Sequence, residues 1–133
     1  MTARRDPLPA VAGPVRLILR LEAAALFVAA VGGYHLLGGS WFWFALLFLT
    51  PDLSMFGYLA GPGRGAVAYN LVHSTVLPAC LGLAGLLGGW PWAELGALIW
   101  LAHIGFDRVL GYGLKYPVAF GATHLGWIGK GGR

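Results

Sequence analysis

Trp41-Phe42-Trp43-Phe44-Ala45-Leu46-Leu47-Phe48-Leu49-Thr50-Pro51-Asp52-Leu53-Ser54-Met55-Phe56-Gly57-Tyr58-Leu59-Ala60 is the stretch whose reading decides the fold class. At 1.5 Å per residue, a helix of about 20 residues crosses the hydrocarbon of a bilayer. The opening aromatic cluster suits the boundary between lipid and water. Asp52 is the only charged residue inside. An ionisable group at such a depth is costly, and by default marks a functional site whose partners must be found.

The remainder of the chain agrees with a membrane setting. Of its 133 residues 58% are hydrophobic and 11% charged, and its mean hydropathy is +0.72. A soluble domain averages about 25% charged residues, so this chain lacks the polar groups to cover a water-facing surface. It reads as an integral membrane protein of one domain. The net charge of +4 comes from basic residues flanking apolar segments, which does not point to nucleic acid as a partner. Cys80 is alone, so disulfides and thiolate metal sites are excluded, and it reads as a packing residue.

Working outward from residues 41–60, three more spanning helices are expected. One precedes, over residues 14–37, ending at Gly38-Gly39-Ser40. Gly61-Pro62-Gly63-Arg64-Gly65 reads as a turn, and a third helix follows over about 66–88, with Pro78 as its kink. After Gly89-Trp90-Pro91-Trp92, where Pro91 suits a helix start, the fourth runs over about 92–111. Residues 1–13 read as a flexible cytoplasmic tail rather than a cleaved leader, because Arg20 and Glu22 interrupt the apolar segment behind it. Residues 112–133 are too broken by glycine and proline to span. Their moderately apolar part, 118–128, is expected to lie on the cytoplasmic surface as a short amphipathic lid. The expected fold is all-α: a four-transmembrane-helix bundle spanning 14–111.

Charge sets the orientation. Arg4, Arg5, Arg16 and Arg20 precede or open the first helix, Arg64 lies between the second and third, and Arg108, Lys115, Lys130 and Arg133 lie at or beyond the end of the fourth. All nine fall on one side if both termini are cytoplasmic, as the positive-inside rule expects of an inner-membrane protein.

Depth then groups the polar residues. Asp52 lies about 17 Å from the outer edge of its helix. Tyr69, Asn70 and His73 lie in the inner half of the third helix, and His103 and Asp107 in that of the fourth. Arg20 and Glu22 occupy the same half of the first. A shared polar pocket opening to the cytoplasm is the economical reading. Asp52, His73, His103 and Asp107 form a nitrogen-and-oxygen set suited to zinc, manganese or iron. Asn70, Ser74 and Tyr112 could orient them. An open coordination position would activate water and make hydrolysis the natural chemistry. Lys115, or Arg108, could hold an anionic group over the pocket, although snorkelling to the headgroups is the commoner role of such a lysine. His124 could fold back as a further nitrogen ligand.

The plainer reading stands beside this one. Asp107 could pair with Arg108 or Arg20, and His73 could bond a backbone carbonyl, so that the polar layer fixes only helix packing or partner association. Proton or ion handling is a third reading. His35 and Glu94 lie near the outer interface and read as interfacial, and the Trp and Phe stripes as lipid-facing or core. Asp52-x4-Gly57-Tyr58 faintly echoes Asp107-x3-Gly111-Tyr112, as a duplicated helical hairpin would.

Four motifs carry a resemblance: residues 51–58, Tyr69-Asn70-Leu71-Val72-His73-Ser74, His103-Ile104-Gly105-Phe106-Asp107-Arg108, and Gly111-Tyr112-Gly113-Leu114-Lys115-Tyr116. Together they resemble a small bacterial membrane family, the domain of unknown function numbered forty-two sixty. That resemblance implies four helices and no established activity. More distantly, the order Pro-Asp, His-Ser, His-x3-Asp and Tyr-Gly is similar to membrane-bound metal-dependent hydrolases. It implies Asp52, His73, His103 and Asp107 as ligands. The chain departs from that pattern at Ser54, where a second acid is usual, and at Asn70, where a histidine is expected. Composition and motifs together predict a metal-dependent, hydrolase-like site on a lipid-proximal substrate. Membrane lipids are the expected partners, and a homo-oligomer is open. The alternative is a non-catalytic protein held by its polar layer.

Overall fold

A computed structural model describes residues 9–128. The tail expected over residues 1–13 falls mostly outside them, as do Lys130 and Arg133. Five α-helices follow in order: α1 (Gly13–Leu36), α2 (Trp41–Leu47), α3 (Pro62–His73), α4 (Val76–Gly88) and α5 (Pro91–Leu110). A 3-10 helix, Thr50–Ala60, links α2 to α3, and a two-stranded antiparallel hairpin, β1 (Ala122–Thr123) and β2 (Gly126–Trp127), is the last element of the described residues. Two continuous stretches, Trp41–Ala60 and Pro62–Gly88, are long and apolar enough to cross a membrane.

The second expected span is therefore a helix that changes type halfway. Pro51 has no N–H to give the Leu47 carbonyl, and the Thr50 hydroxyl donates to that oxygen instead at 2.7 Å. Ser54 donates likewise to the Pro51 carbonyl at 2.7 Å. These local bonds compete with the ordinary ladder, and the backbone tightens into a 3-10 helix over 11 residues, far longer than such helices usually run. Asp52 lies in its first turn.

The turn expected over residues 61–65 is narrower. The chain reverses at Gly61 alone, whose φ of 109° only glycine adopts without strain. Pro62 then opens α3 at once.

The third expected helix is broken between α3 and α4 at Ser74, which is extended at φ −79° and ψ 145°. Pro78 is the cause, although the break lies four residues ahead of it. The proline ring excludes the carbonyl of residue i−4 and offers it no N–H. Carbonyls freed near the break are met from α5: Trp100 Nε1 donates to Val72 O at 2.6 Å, and Arg108 Nη2 to His73 O at 3.3 Å.

Helix α5 is the central element, packed against both α1 and α4, while α3 packs on the 3-10 helix. Its buried side is mostly small: Ala93, Ala97, Ala102 and Gly105, with Ile99, His103 and Ile104. Small residues let apolar helices approach closely. A Cβ on Gly105 would lie 2.9 Å from both the Ala23 carbonyl oxygen and the Phe27 nitrogen, so only glycine allows that crossing with α1.

Residues 118–128 are not an amphipathic lid. Ala122, Thr123 and Leu125 are buried, and the Thr123 hydroxyl donates to Gly126 O at 2.7 Å within the turn. Lys115 bridges to Thr123, which folds the segment back onto the helices.

Candidate metal centre

Three elements deliver one cluster. Asp52 comes from the first turn of the 3-10 helix, His73 from the last turn of α3, and His103 and Asp107 from successive turns of α5. One ligand atom from each lies within 4.8 Å of all the others. His73 Nε2 is 3.2 Å from His103 Nε2, 3.4 Å from Asp52 Oδ1 and 3.5 Å from Asp107 Oδ2. His103 Nε2 is 3.2 Å from each of the same two oxygens. Both histidines are buried, whereas the Asp52 and Asp107 side chains keep 33% and 15% of their exposure. The solvent side of the cluster is therefore Asp52.

The hydrogen bonds around His73 fix its electronic state. Its Nδ1 lies 2.9 Å from Tyr69 O, and a carbonyl oxygen only accepts, so Nδ1 carries the proton. In neutral His73 the Nε2 is then a bare lone pair. It faces a second imidazole nitrogen and two carboxylate oxygens. The role of the His103 nitrogen follows its own tautomer, and the other three, all acceptors, repel one another unless a proton or a cation lies between them.

Tyr69 also supports the imidazole as a flat surface: the two rings stack with centroids 3.7 Å apart and planes 5° from parallel. Phe48 meets His103 edge-on at 5.5 Å. Sequence reasoning placed Tyr69 at the right depth without a role and set the Trp and Phe stripes aside. The Tyr69-x3-His73 spacing was a signal for the first. Pro78, which strips a carbonyl of its donor, was a signal that something like Trp100 must reach the break.

Other expected roles change. Arg108 does not face an open anion site through all its donors, because one amine bonds the His73 carbonyl. Among the described residues no arginine pairs with Asp107, whose ion-pair partners are His73 and His103. Asn70 is tied to the backbone of Lys115 twice: Nδ2 donates to its carbonyl at 2.8 Å and Oδ1 accepts from its N–H at 2.6 Å. It positions the segment after α5 rather than a ligand. Ser74 Oγ accepts from Val76 N–H at 3.3 Å, and Tyr112 is exposed.

His124 does not join the four. Its Nδ1 accepts from Leu114 N–H at 2.9 Å, and it lines a separate cavity of about 200 Å³ with Glu22, Arg108 and Leu125. Burial, then the nearby Arg108 charge, pushes its pKa down. The first helix contributes no wall to the cluster. Arg20 and Glu22 are exposed, and Arg20 Nε donates to Val109 O at 2.8 Å.

A family model described as Domain of unknown function (DUF4260) matches residues 16–128, most of the chain and all four cluster residues. The chain belongs to this family. No curated protein and no solved structure matches it. The more distant likeness to membrane-bound hydrolases therefore has no match behind it. In this DUF4260 chain the cluster is the group of side chains able to hold a metal among the described residues.

Proposed function

We propose that the cluster is a metal centre, and that it serves a hydrolase-like reaction on an amphiphile drawn from the membrane. The spacing of the four donor atoms carries this reading. Zinc bonds of 2.0–2.1 Å at the tetrahedral angle set donor atoms about 3.3 Å apart, whereas an octahedral ion at similar bond lengths sets neighbouring donors about 3.0 Å apart. Five of the six donor separations run from 3.2 to 3.5 Å, and the sixth, between the two carboxylates, lies within 4.8 Å. Zinc in an N₂O₂ site is the ion they fit best. His73, with Nδ1 bound to a carbonyl and Nε2 facing the ligands, has the support usual for a metal-bound imidazole.

Four protein ligands close a tetrahedron, and a closed site is the structural kind. Catalysis needs a position that opens. Asp52 is the ligand suited to give way, being the most exposed of the four and carried on the irregular 3-10 helix. Bound metal would lower the pKa of a water taken up there. The displaced Asp52 carboxylate, still nearby, is placed to accept its proton.

A cavity of about 290 Å³ supports an amphiphilic substrate. Leu47, Thr50, Pro51, Val72, Ile99 and Trp100 line it. Pro51 and Val72 directly precede Asp52 and His73 in sequence, and Ile99 lies one turn from His103. The cavity is mostly apolar and is lined by sequence neighbours of the ligands rather than by the ligands themselves, as a slot for a hydrocarbon chain near the site would be. Leucines and valines exposed on α1 and α4, such as Val28 at 67% and Leu87 at 79%, suit contact with lipid. The proposal takes α1 and α5 as crossing too, and the side on which the basic residues then fall supports cytoplasmic termini at an inner membrane.

The test is a panel of chromogenic carboxylate and phosphate esters with short and long alkyl chains, offered to detergent-purified protein. The reading expects turnover that chelator removes, zinc restores and His103→Ala abolishes, with long chains preferred. Turnover that is absent, or the same in His103→Ala, overturns the catalytic part.

A further inference from the structure

Among the described residues three buried side-chain polar atoms have no hydrogen-bond partner: His103 Nδ1 in the cluster itself, and Lys115 Nζ and Tyr58 Oη outside it. Lys115 as a whole is 3% exposed. Lys115 and Tyr58 flank one ring. Lys115 Nζ lies 3.7 Å from the Phe120 centroid, and the Tyr58 ring packs on Phe120 edge-on at 5.1 Å. Lys115 Nζ is also 4.9 Å from the centroid of Tyr69, whose ring stacks on His73. The lysine is thus one aromatic ring away from a proposed ligand.

Aromatic rings compensate an ammonium only in part, and its three N–H donors still lack acceptors. Burying such a group is unfavourable unless something else supplies the missing bonds. Tyr58 adds an O–H donor in need of the same thing. No carboxylate pairs directly with Lys115 among the described residues; the charge of Asp107 acts on it only through space. Once a divalent ion neutralises Asp52 and Asp107, Lys115 is left as net positive charge at the site. Neither a neutral headgroup nor a further cation answers that need.

We infer that Lys115 and Tyr58 form a subsite for a phosphate-type oxyanion beside the metal, so that the substrate class is an anionic amphiphile. This rests on the metal-centre reading, because without the ion the two carboxylates outweigh the lysine and repel an anion. The shared chemistry is a phosphate group, either free or at the head of a lipid. Arg108, the basic residue closer in sequence to the ligands, is turned to the His73 carbonyl and is the less available donor.

Inorganic phosphate is the probe, titrated calorimetrically into full-length protein in detergent, with and without zinc. Zinc binding is measured first on the same samples. Phosphate should bind the zinc-loaded wild type and weaken sharply after chelation. Lys115→Met should lose about tenfold or more in phosphate affinity, as expected for a charge-assisted bond. Tyr58→Phe, which keeps the ring on Phe120, should lose about fivefold. Zinc affinity should hold in both, and Lys115→Arg should recover much of the phosphate binding. If zinc fails to bind, the metal-centre reading falls and this inference falls with it. If zinc binds and phosphate does not, or binds all variants equally, the inference alone is overturned. Nanodiscs containing phosphatidic acid should compete with inorganic phosphate if the source is a lipid head. Phosphatidylcholine nanodiscs should not. Absence of competition assigns the subsite to free phosphate.

Discussion

The ring of Tyr69 lies flat on that of His73, and the Tyr69 carbonyl oxygen takes the proton-bearing Nδ1 of the same imidazole at 2.9 Å. One residue thus sets both the tilt and the tautomer of its neighbour one turn on. Its backbone chooses which nitrogen is free, and its side chain holds that nitrogen toward Asp52, His103 and Asp107.

Removing the ring while keeping the carbonyl separates the two effects. Tyr69→Ala should lower zinc affinity by about tenfold, the lower end of what losing outer support for a ligand costs. A competition titration against a zinc indicator reads it. Unchanged affinity would mean that the carbonyl bond alone orients the imidazole.

Trp100 holds the break between α3 and α4 by donating to Val72 O. Trp100→Phe leaves that carbonyl without its donor and should destabilise the fold by about 1–3 kcal/mol. Thermal unfolding in detergent measures this. Trp92→Phe, at a position 69% exposed, is the control and should leave the midpoint nearly unmoved. Equal midpoints in the two variants would refute the role given to Trp100.

Gly105 is where α5 meets the backbone of α1. Gly105→Ala forces a methyl against Ala23 O and Phe27 N and should cost about 1–3 kcal/mol. Gly96→Ala, where a Cβ meets nothing within 4 Å, should be neutral or mildly stabilising. A Gly105→Ala protein as stable as wild type would place the helix crossing elsewhere.

Burial pushes the Lys115 amine down to about 8, while Asp107 opposes the shift weakly. In the unfolded chain a lysine titrates near 10.4. Between those values the unfolded state binds more protons than the folded one, so stability rises with pH across about 8 to 10.4 and is level on either side. Wild type should gain thermal stability relative to Lys115→Met over that window. A flat difference would show that the amine is solvated in the folded protein.

The sequence disclosed what depended on spacing along one helix. His103 and Asp107 share a face because they are four residues apart, and their depth matched that of Asp52 and His73. It did not disclose what depended on backbone departures from the helix. Pro51 sits within the first turn of the 3-10 helix it favours, but the length of that helix has no sequence signature, and the break at Ser74 lies four residues ahead of Pro78. The first helix looked like a fourth wall because Arg20 and Glu22 had the right depth. Depth alone cannot fix the face of a helix: Arg20 bonds the Val109 carbonyl and Glu22 lines the cavity beside His124, both away from the cluster. Lys115 and Asn70 were legible as polar groups near the pocket. The pairing of the Asn70 side-chain amide with the Lys115 backbone joins residues 45 apart and has no local signature.

The central claim is that Asp52, His73, His103 and Asp107 hold one metal ion in a tetrahedron. Zinc K-edge absorption on protein purified without chelator, with metal content measured alongside, tests it most directly. The account predicts one zinc per chain with four nitrogen or oxygen neighbours at about 2.0–2.1 Å, two of them imidazole, and no sulfur. It predicts loss of that metal in His73→Ala. A metal-free wild type that also fails to take up added zinc, or zinc retained unchanged in His73→Ala, would contradict it.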